Sequence, residues 1–222
     1  MSQIKFPYAS LSDLDCTSKA FFVNRNQING VVYTIPMLDT KQSNQKNKME
    51  SGNETIMLVN SANEVIGEIG KIEAHQKSGR LHRAFTIFLQ NQSGEWLMTK
   101  RSEQKPLWPL WWDAACSSHP WFPNESIEQA ALRRMPFELG LHIEEVNNVR
   151  VLGAYEYHAV YSPDWSENEI NHIVVANYDG ELSINPKEVS DFEWLTPSQI
   201  DERLTQHNLF SPWFAQAWQE VK

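Results

Sequence analysis

Only two cysteines, Cys16 and Cys116, occur in the 222 residues of the chain. That excludes a disulfide framework and, since neither has a cysteine neighbour, a zinc ribbon as well. Both are expected to be reduced thiols. No apolar stretch approaches the roughly 18–20 residues that a membrane-spanning helix needs, so no span is expected. The opening segment MSQIKFPYASLSDLD lacks the charged start and apolar middle of a secretory signal, and a cytoplasmic protein is the resulting expectation. Basic residues are also in deficit: 19 Lys and Arg face 28 Asp and Glu, a formal charge of −9. This argues against a general nucleic-acid binder, because phosphate backbones reward a basic face. An anionic small molecule would need a local basic cluster. What the chain does have is tryptophan, nine of them, enough to line a pocket for an apolar or cationic group. With 41% hydrophobic residues it can bury one good core. Its oligomeric state is not legible.

Residues 41–54 (KQSNQKNKMESGNE) are polar and aperiodic, which marks a linker or exposed loop behind an N-terminal extension. Within that extension VVYTIPML (31–38) predicts a strand added to the edge of the main sheet, where Pro36 is tolerated. From Thr55 onward, TIMLVNS and VIGEIG predict one hairpin, and HRAFTIFLQ (82–90) with EWLMTKR (95–101) a second. A loop rich in Trp and Pro follows over 106–123. The stretch Ser126–Leu139 predicts a helix with Asn124 or Ser126 as its cap, an apolar stripe of Leu132, Met135 and Leu139, and Gly140 as its stop. Strands over 149–161, 169–178 and 190–195 then lead to a helix opened by Thr196-Pro197-Ser198. Strands on both sides of a helix, with a final helix, predict a mixed-sheet α/β sandwich.

Three constellations could carry chemistry. In Glu167-Asn168-Glu169 the two carboxylates are two apart on extended backbone and point to one side; taken alone, this reads as a charged strand end. His75, His82 and His119 are each ordinary half-buried histidines when taken singly. Three imidazoles and two carboxylates together would nevertheless suit a divalent transition ion. The third is the helix NESIEQAALRRMPFELG, where Arg134 and Glu138 share a face as a surface ion pair would.

This helix is similar to the Nudix helix. The ordered set LHRAF, KRSEQKPLWPLWW, SSHP, NES..QAALRRMPFELG, ENE and FSPW, spanning about Glu68 to Trp213, resembles the type I isopentenyl-diphosphate isomerases. The resemblance implies an α/β (α+β) fold, a Nudix-like mixed β-sheet sandwiched by helices. It assigns 1–54 to an N-terminal extension and polar linker and 55–222 to the isomerase domain. It further implies a divalent ion, manganese or zinc, on His75, His82, His119, Glu167 and Glu169. A magnesium ion would arrive with the substrate diphosphate and meet Glu138, and Lys71, Arg101, Lys105 and Arg134 would contact the diphosphate. The partner is then a small-molecule prenyl diphosphate. The implied reaction is a 1,3-proton shift from isopentenyl to dimethylallyl diphosphate by alkene protonation, with Glu169 as acid, Tyr157 assisting and the Trp213 face stabilising a cation.

The chain departs from the family pattern at several points. Ser117 stands at the position of the active-site cysteine, with Cys116 beside it expected to point the other way. A hydroxyl is a far weaker acid than a thiol and needs a partner base. Leu110 replaces a glycine and Ala114 an asparagine. Pro136, inside the helix, removes a backbone hydrogen bond and is expected to displace Glu138. These departures leave room for two alternatives: protonation of a larger prenyl diphosphate that cyclises or rearranges, or a silent prenyl-diphosphate binder. A Nudix hydrolase fits less well, because RRMPFELG lacks consecutive glutamates.

Overall fold

The computed structural model describes residues 54–222 throughout and, ahead of them, the backbone of two strands, β1 (Asn24–Ile28) and β2 (Val31–Ile35). These two pair antiparallel in a sheet of their own, with Asn24 opposite Ile35. The apolar run expected at the edge of the main sheet thus forms a strand but takes the nearest partner in sequence. Asn29-Gly30 between the two is a strong hairpin dipeptide, and a short loop closes at lower entropic cost than a long-range pairing. Residues 36–38 and the linker over 41–53 lie outside the described residues.

The main sheet begins with the hairpin of β3 (Thr55–Val59) and β4 (Val65–Gly70), followed by a short helix α1 (Lys71–Ala74). β5 (His82–Gln90), β6 (Trp96–Arg101) and the short strands β7 (Trp112–Asp113) and β8 (Cys116–Ser118) come next. After helix α2 (Ile127–Leu139) come the long strands β9 (Asn147–Ser162) and β10 (Trp165–Asn177), then β11 (Val189–Leu195), α3 (Pro197–Leu204) and α4 (Phe214–Val221). The spatial order is β11-β6-β5-β10-β9, with β5 and β10 parallel and the other pairings antiparallel.

Alternation along β5 and β10 splits the core between two faces. Phe85, Ile87, Leu89, Val174 and Ala176 pack under α2 through Ala130, Ala131, Met135 and Leu139. Phe88, Ile173 and Val175 face the other way, against Ile200 of α3 and Phe214, Ala217 and Trp218 of α4. Covered on both faces, the central strands read as near-continuous apolar runs, and the result is a helix–sheet–helix sandwich.

Helix α2 starts where the sequence placed it: Ser126 and Gln129 form a reciprocal capping box. It ends at Gly140, whose φ of 63° is left-handed. The helix runs on to Leu139, and Glu138 is buried and accepts from Arg134 Nε at 2.9 Å. Pro136 leaves the Leu132 carbonyl, four residues back, without its helical amide donor, and the helix continues three residues beyond the proline. The pair expected at the surface is therefore buried, with Arg134 only 1% exposed.

Candidate metal centre

Strand register assembles the centre. Glu169 of β10 lies directly opposite His82, the first residue of β5, on one side and Tyr157 of β9 on the other. Glu167, two residues earlier, shares its face. His75 is the C-cap of α1, and His119 follows directly on β8, which pairs with β5. All five residues are buried, and one ligand atom from each lies within 4.8 Å of every other. Glu169 Oε1 is 2.9 Å from His119 Nε2, 3.2 Å from His82 Nε2 and 3.8 Å from His75 Nε2; Glu167 Oε2 is 2.9 Å from His75 Nε2.

The fit to a cation can be judged from the atoms themselves. His82 Nε2, His119 Nδ1 and Glu167 Oε2 are buried without a hydrogen bond, although His82 Nε2 and Glu167 Oε2 have close polar neighbours. Crowded polar atoms lacking hydrogen-bond geometry are what lone pairs aimed at a common point produce. The Nδ1 atoms of His75 and His82 lie 2.6 and 2.7 Å from the carbonyls of Lys71 and Arg80, so each donates there and turns its Nε2 inward. A His3Glu2 set of this kind could hold a divalent metal. Burial opposes a charge on His75, yet Glu167 and Glu169 raise its pKa to about 10. Burial lowers His119 to about 3. Against its own burial, the three imidazoles hold Glu169 well below the usual carboxylate range. Burial and Glu169 push Tyr157 up, and its hydroxyl donates to Glu169 Oε2 at 2.6 Å.

A cavity of about 350 Å³ opens beside the cluster. His75, His119, Glu167 and Glu169 form its floor; Phe85, Leu107, Tyr157, Trp165 and Trp213 supply aromatic and apolar wall. Ser117 also lines it, while Cys116 is buried in the core on the opposite side of β8. All four expected basic residues, Lys71, Arg101, Lys105 and Arg134, reach the cavity. Glu138 does not line it, and His82 is fully buried behind the floor.

The basic group is not bare. Lys71 lies 2.6 Å from Glu54, Arg101 lies 3.5 Å from Asp113, and Arg134 lies 3.3 Å from Glu188 in addition to its bond to Glu138. Lys105 pairs closely with Glu188. Despite burial, Lys71 lowers Glu54 to about 2, and Lys105 and Arg134 lower Glu188 to about 2. Four cations meet four carboxylates, so the expected positive cluster is nearly neutral. Sequence reasoning missed Glu54, Asp113 and Glu188. They come from the border of the linker, a two-residue strand and an ordinary loop, and none carries a local motif.

The sequence and the fold are similar to those of known proteins. A model of the NUDIX domain matches residues 80–215. An isopentenyl-diphosphate Delta-isomerase of Paenarthrobacter aurescens is 37% identical over 161 residues, which covers 72% of this chain and 86% of that one. Isopentenyl-diphosphate Delta-isomerase 1 of Photorhabdus laumondii is 34% identical, covering 76% and 94%. A crystal structure from Deinococcus radiodurans superposes with a TM-score of 0.61 at 23% identity, over 75% of this chain and 98% of that one.

Proposed function

Because the chain belongs to the NUDIX-domain family and, within it, to the type I isopentenyl-diphosphate isomerases, we propose that its buried His3Glu2 centre drives the 1,3-proton shift from isopentenyl to dimethylallyl diphosphate. The observation that carries this reading is the position of Glu169. One of its oxygens faces three imidazoles and the other takes the Tyr157 hydroxyl at 2.6 Å, on the floor of a cavity walled by aromatics.

An alkene is a feeble base, so its protonation needs a strong, desolvated acid held in place. Glu169 Oε2 and the Tyr157 hydroxyl share the proton that is delivered to the terminal carbon. Trp213, whose ring centroid is 5.8 Å from that of Tyr157, offers its face to the tertiary cation. On the opposite face Ser117, beside Thr86 at 3.1 Å, would relay the proton lost from C2 to an oxygen of the substrate diphosphate. Lys71, Arg101, Lys105 and Arg134 hold the diphosphate. His75, His82, His119, Glu167 and Glu169 would hold a divalent ion, manganese or zinc, which would supply a fixed positive charge beside the acid. Magnesium entering with the diphosphate would suit the nearly neutral basic wall, since a trianion gains little there without its own cation; Glu138, whose carboxylate pairs with Arg134, would meet it.

The test is direct. Purified protein with manganese and magnesium should convert isopentenyl to dimethylallyl diphosphate, and Glu169→Gln should lower kcat by about 10²–10⁴-fold, the usual worth of a general acid. Absence of product from the wild-type protein with either metal would overturn the reading.

A further inference from the structure

Trp213 and Arg101 share a buried partner. Asp113, the last residue of β7, is 2% exposed, and both its oxygens lie 3.1 Å from the indole Nε1 of Trp213, which donates to them. The same carboxylate is 3.5 Å from Arg101 Nη1 and accepts the Ala114 amide at 2.8 Å. Arg101 in turn sits over the indole, its Cζ 5.3 Å from the ring centroid. Its Nε and Nη2 donate to the carbonyls of Trp108 and Leu107 at 3.0 and 2.8 Å, so the guanidinium cannot swing away freely.

This arrangement sets two demands against each other. A guanidinium over the ring draws on the same π electrons that a substrate cation would use, and like charges repel more strongly in a dry site. Alone, Arg101 would welcome the diphosphate and oppose the carbocation. A carboxylate at the indole edge removes the conflict: it neutralises the guanidinium on its inner side and, by accepting the N–H, leaves the ring face richer in electrons. Burial raises the Asp113 carboxyl above its ordinary value, and Arg101, the Ala114 amide and the hydroxyls of Ser211 and Ser117 oppose that rise.

We propose that Asp113 is a positioning residue for the isomerisation, orienting Trp213 and screening it from Arg101 so that a cation-stabilising ring and a diphosphate clamp can stand side by side. This rests on the roles given above to Trp213 and Arg101.

Asp113→Asn preserves shape and one acceptor oxygen and removes the charge. The expected result is a split: kcat falls roughly 10- to 100-fold, the order expected when one charge facing a transition state is lost. KM, and the dissociation constant for inorganic diphosphate with magnesium, should meanwhile stay the same or fall, because Arg101 is released to the anion. A folded variant with unchanged kcat would overturn the proposal, and so would a rise in KM accompanying the loss of kcat and of Tm, which is what a purely structural role predicts. A second measurement needs no turnover and no substitution at Asp113. In wild-type protein labelled with 15N at the indoles, the Trp213 Nε1 proton, assigned with Trp213→Phe, is expected downfield of the solvent-exposed indole position. Its appearance at that position would sink the proposal even if the variant fails to fold. A wild-type protein that forms no dimethylallyl diphosphate would instead count against the isomerase reading, leaving the indole resonance and diphosphate binding to decide the role of Asp113.

Discussion

At the scale of single residues, Ser117 carries the most consequence. Its hydroxyl lines the cavity and sits 3.1 Å from Thr86 Oγ1, whereas the neighbouring thiol of Cys116 is buried in the core and pushed further from ionisation by burial and by Glu138. Proton transfer on that side therefore depends on an alcohol, a far weaker acid than a thiol. Ser117→Cys is expected to raise kcat by roughly 10- to 100-fold, within the span of general acid–base contributions; product formation at saturating substrate measures it, and an unchanged rate would take this position off the reaction path. Glu54 makes a second residue-scale prediction. Burial pushes its pKa up, but Lys71, Arg134 and the Trp121 indole together outweigh that and lower it from 4.5 to about 2, and its side chain is only 3% exposed. The folded form thus binds the proton less tightly than the unfolded chain. The stabilisation is complete above pH 4.5 and is lost as pH falls through about 2, worth about 3 kcal/mol as an order of magnitude. Urea unfolding of wild type and Glu54→Gln should show a gap at pH 7 that narrows below pH 4.5.

At the scale of elements, the end of α2 decides where the basic wall stands. The carbonyls of Glu138 and Leu139 accept from Asn185 and Ser183, so the loop that carries Glu188 is docked on the terminal turn of the helix. Gly140 permits this: it takes φ 63°, and a Cβ there would fall 2.1 Å from the Ser183 carbonyl oxygen. Gly140→Ala should lower stability by at least about 1–3 kcal/mol, the usual cost of strained backbone, and weaken diphosphate binding as Glu188 moves; calorimetry checks both. The Trp–Pro loop holds the opposite case. Leu110 keeps φ 63° with a side chain 49% exposed, so a left-handed conformation suited to glycine is imposed on leucine. Leu110→Gly is expected to raise stability by up to about 1 kcal/mol, the steric relief exceeding the added chain entropy, as read from the urea midpoint.

At the scale of the whole molecule, the overall charge and the local charge follow different rules. A net −9 spread over the chain says little about one cavity, where four cations and four carboxylates nearly cancel. The described residues include no helix long and apolar enough to cross a membrane. Two buried carboxylates and three buried imidazoles are costly to hold together without a cation, so ligand binding and folding should be linked. Saturation with manganese, at about 100 times its dissociation constant, would add roughly 2.7 kcal/mol and raise Tm by about 5–10 °C over chelator-treated protein. A Tm indifferent to the metal would contradict a binding role for the five residues.

Local chemistry was enough to read much of this protein. The capping box at Ser126 and Gln129, Thr196 before Pro197, the alternation along β5 and β10 and the ENE pair depend on neighbours a few residues apart, and the sequence contains those neighbours. Ordered motifs likewise named the five candidate ligands, because each residue type and its spacing are preserved whether or not the chain is folded. Tertiary structure alone decided the rest. The pairing of Glu169 with His82, 87 residues away in sequence, is a matter of parallel register, and the counter-ions Glu54, Asp113 and Glu188 reach the cavity from segments without any signature. Such placements follow from how the sheet and its covering helices pack, and a long-range contact leaves no periodic trace in the chain that makes it.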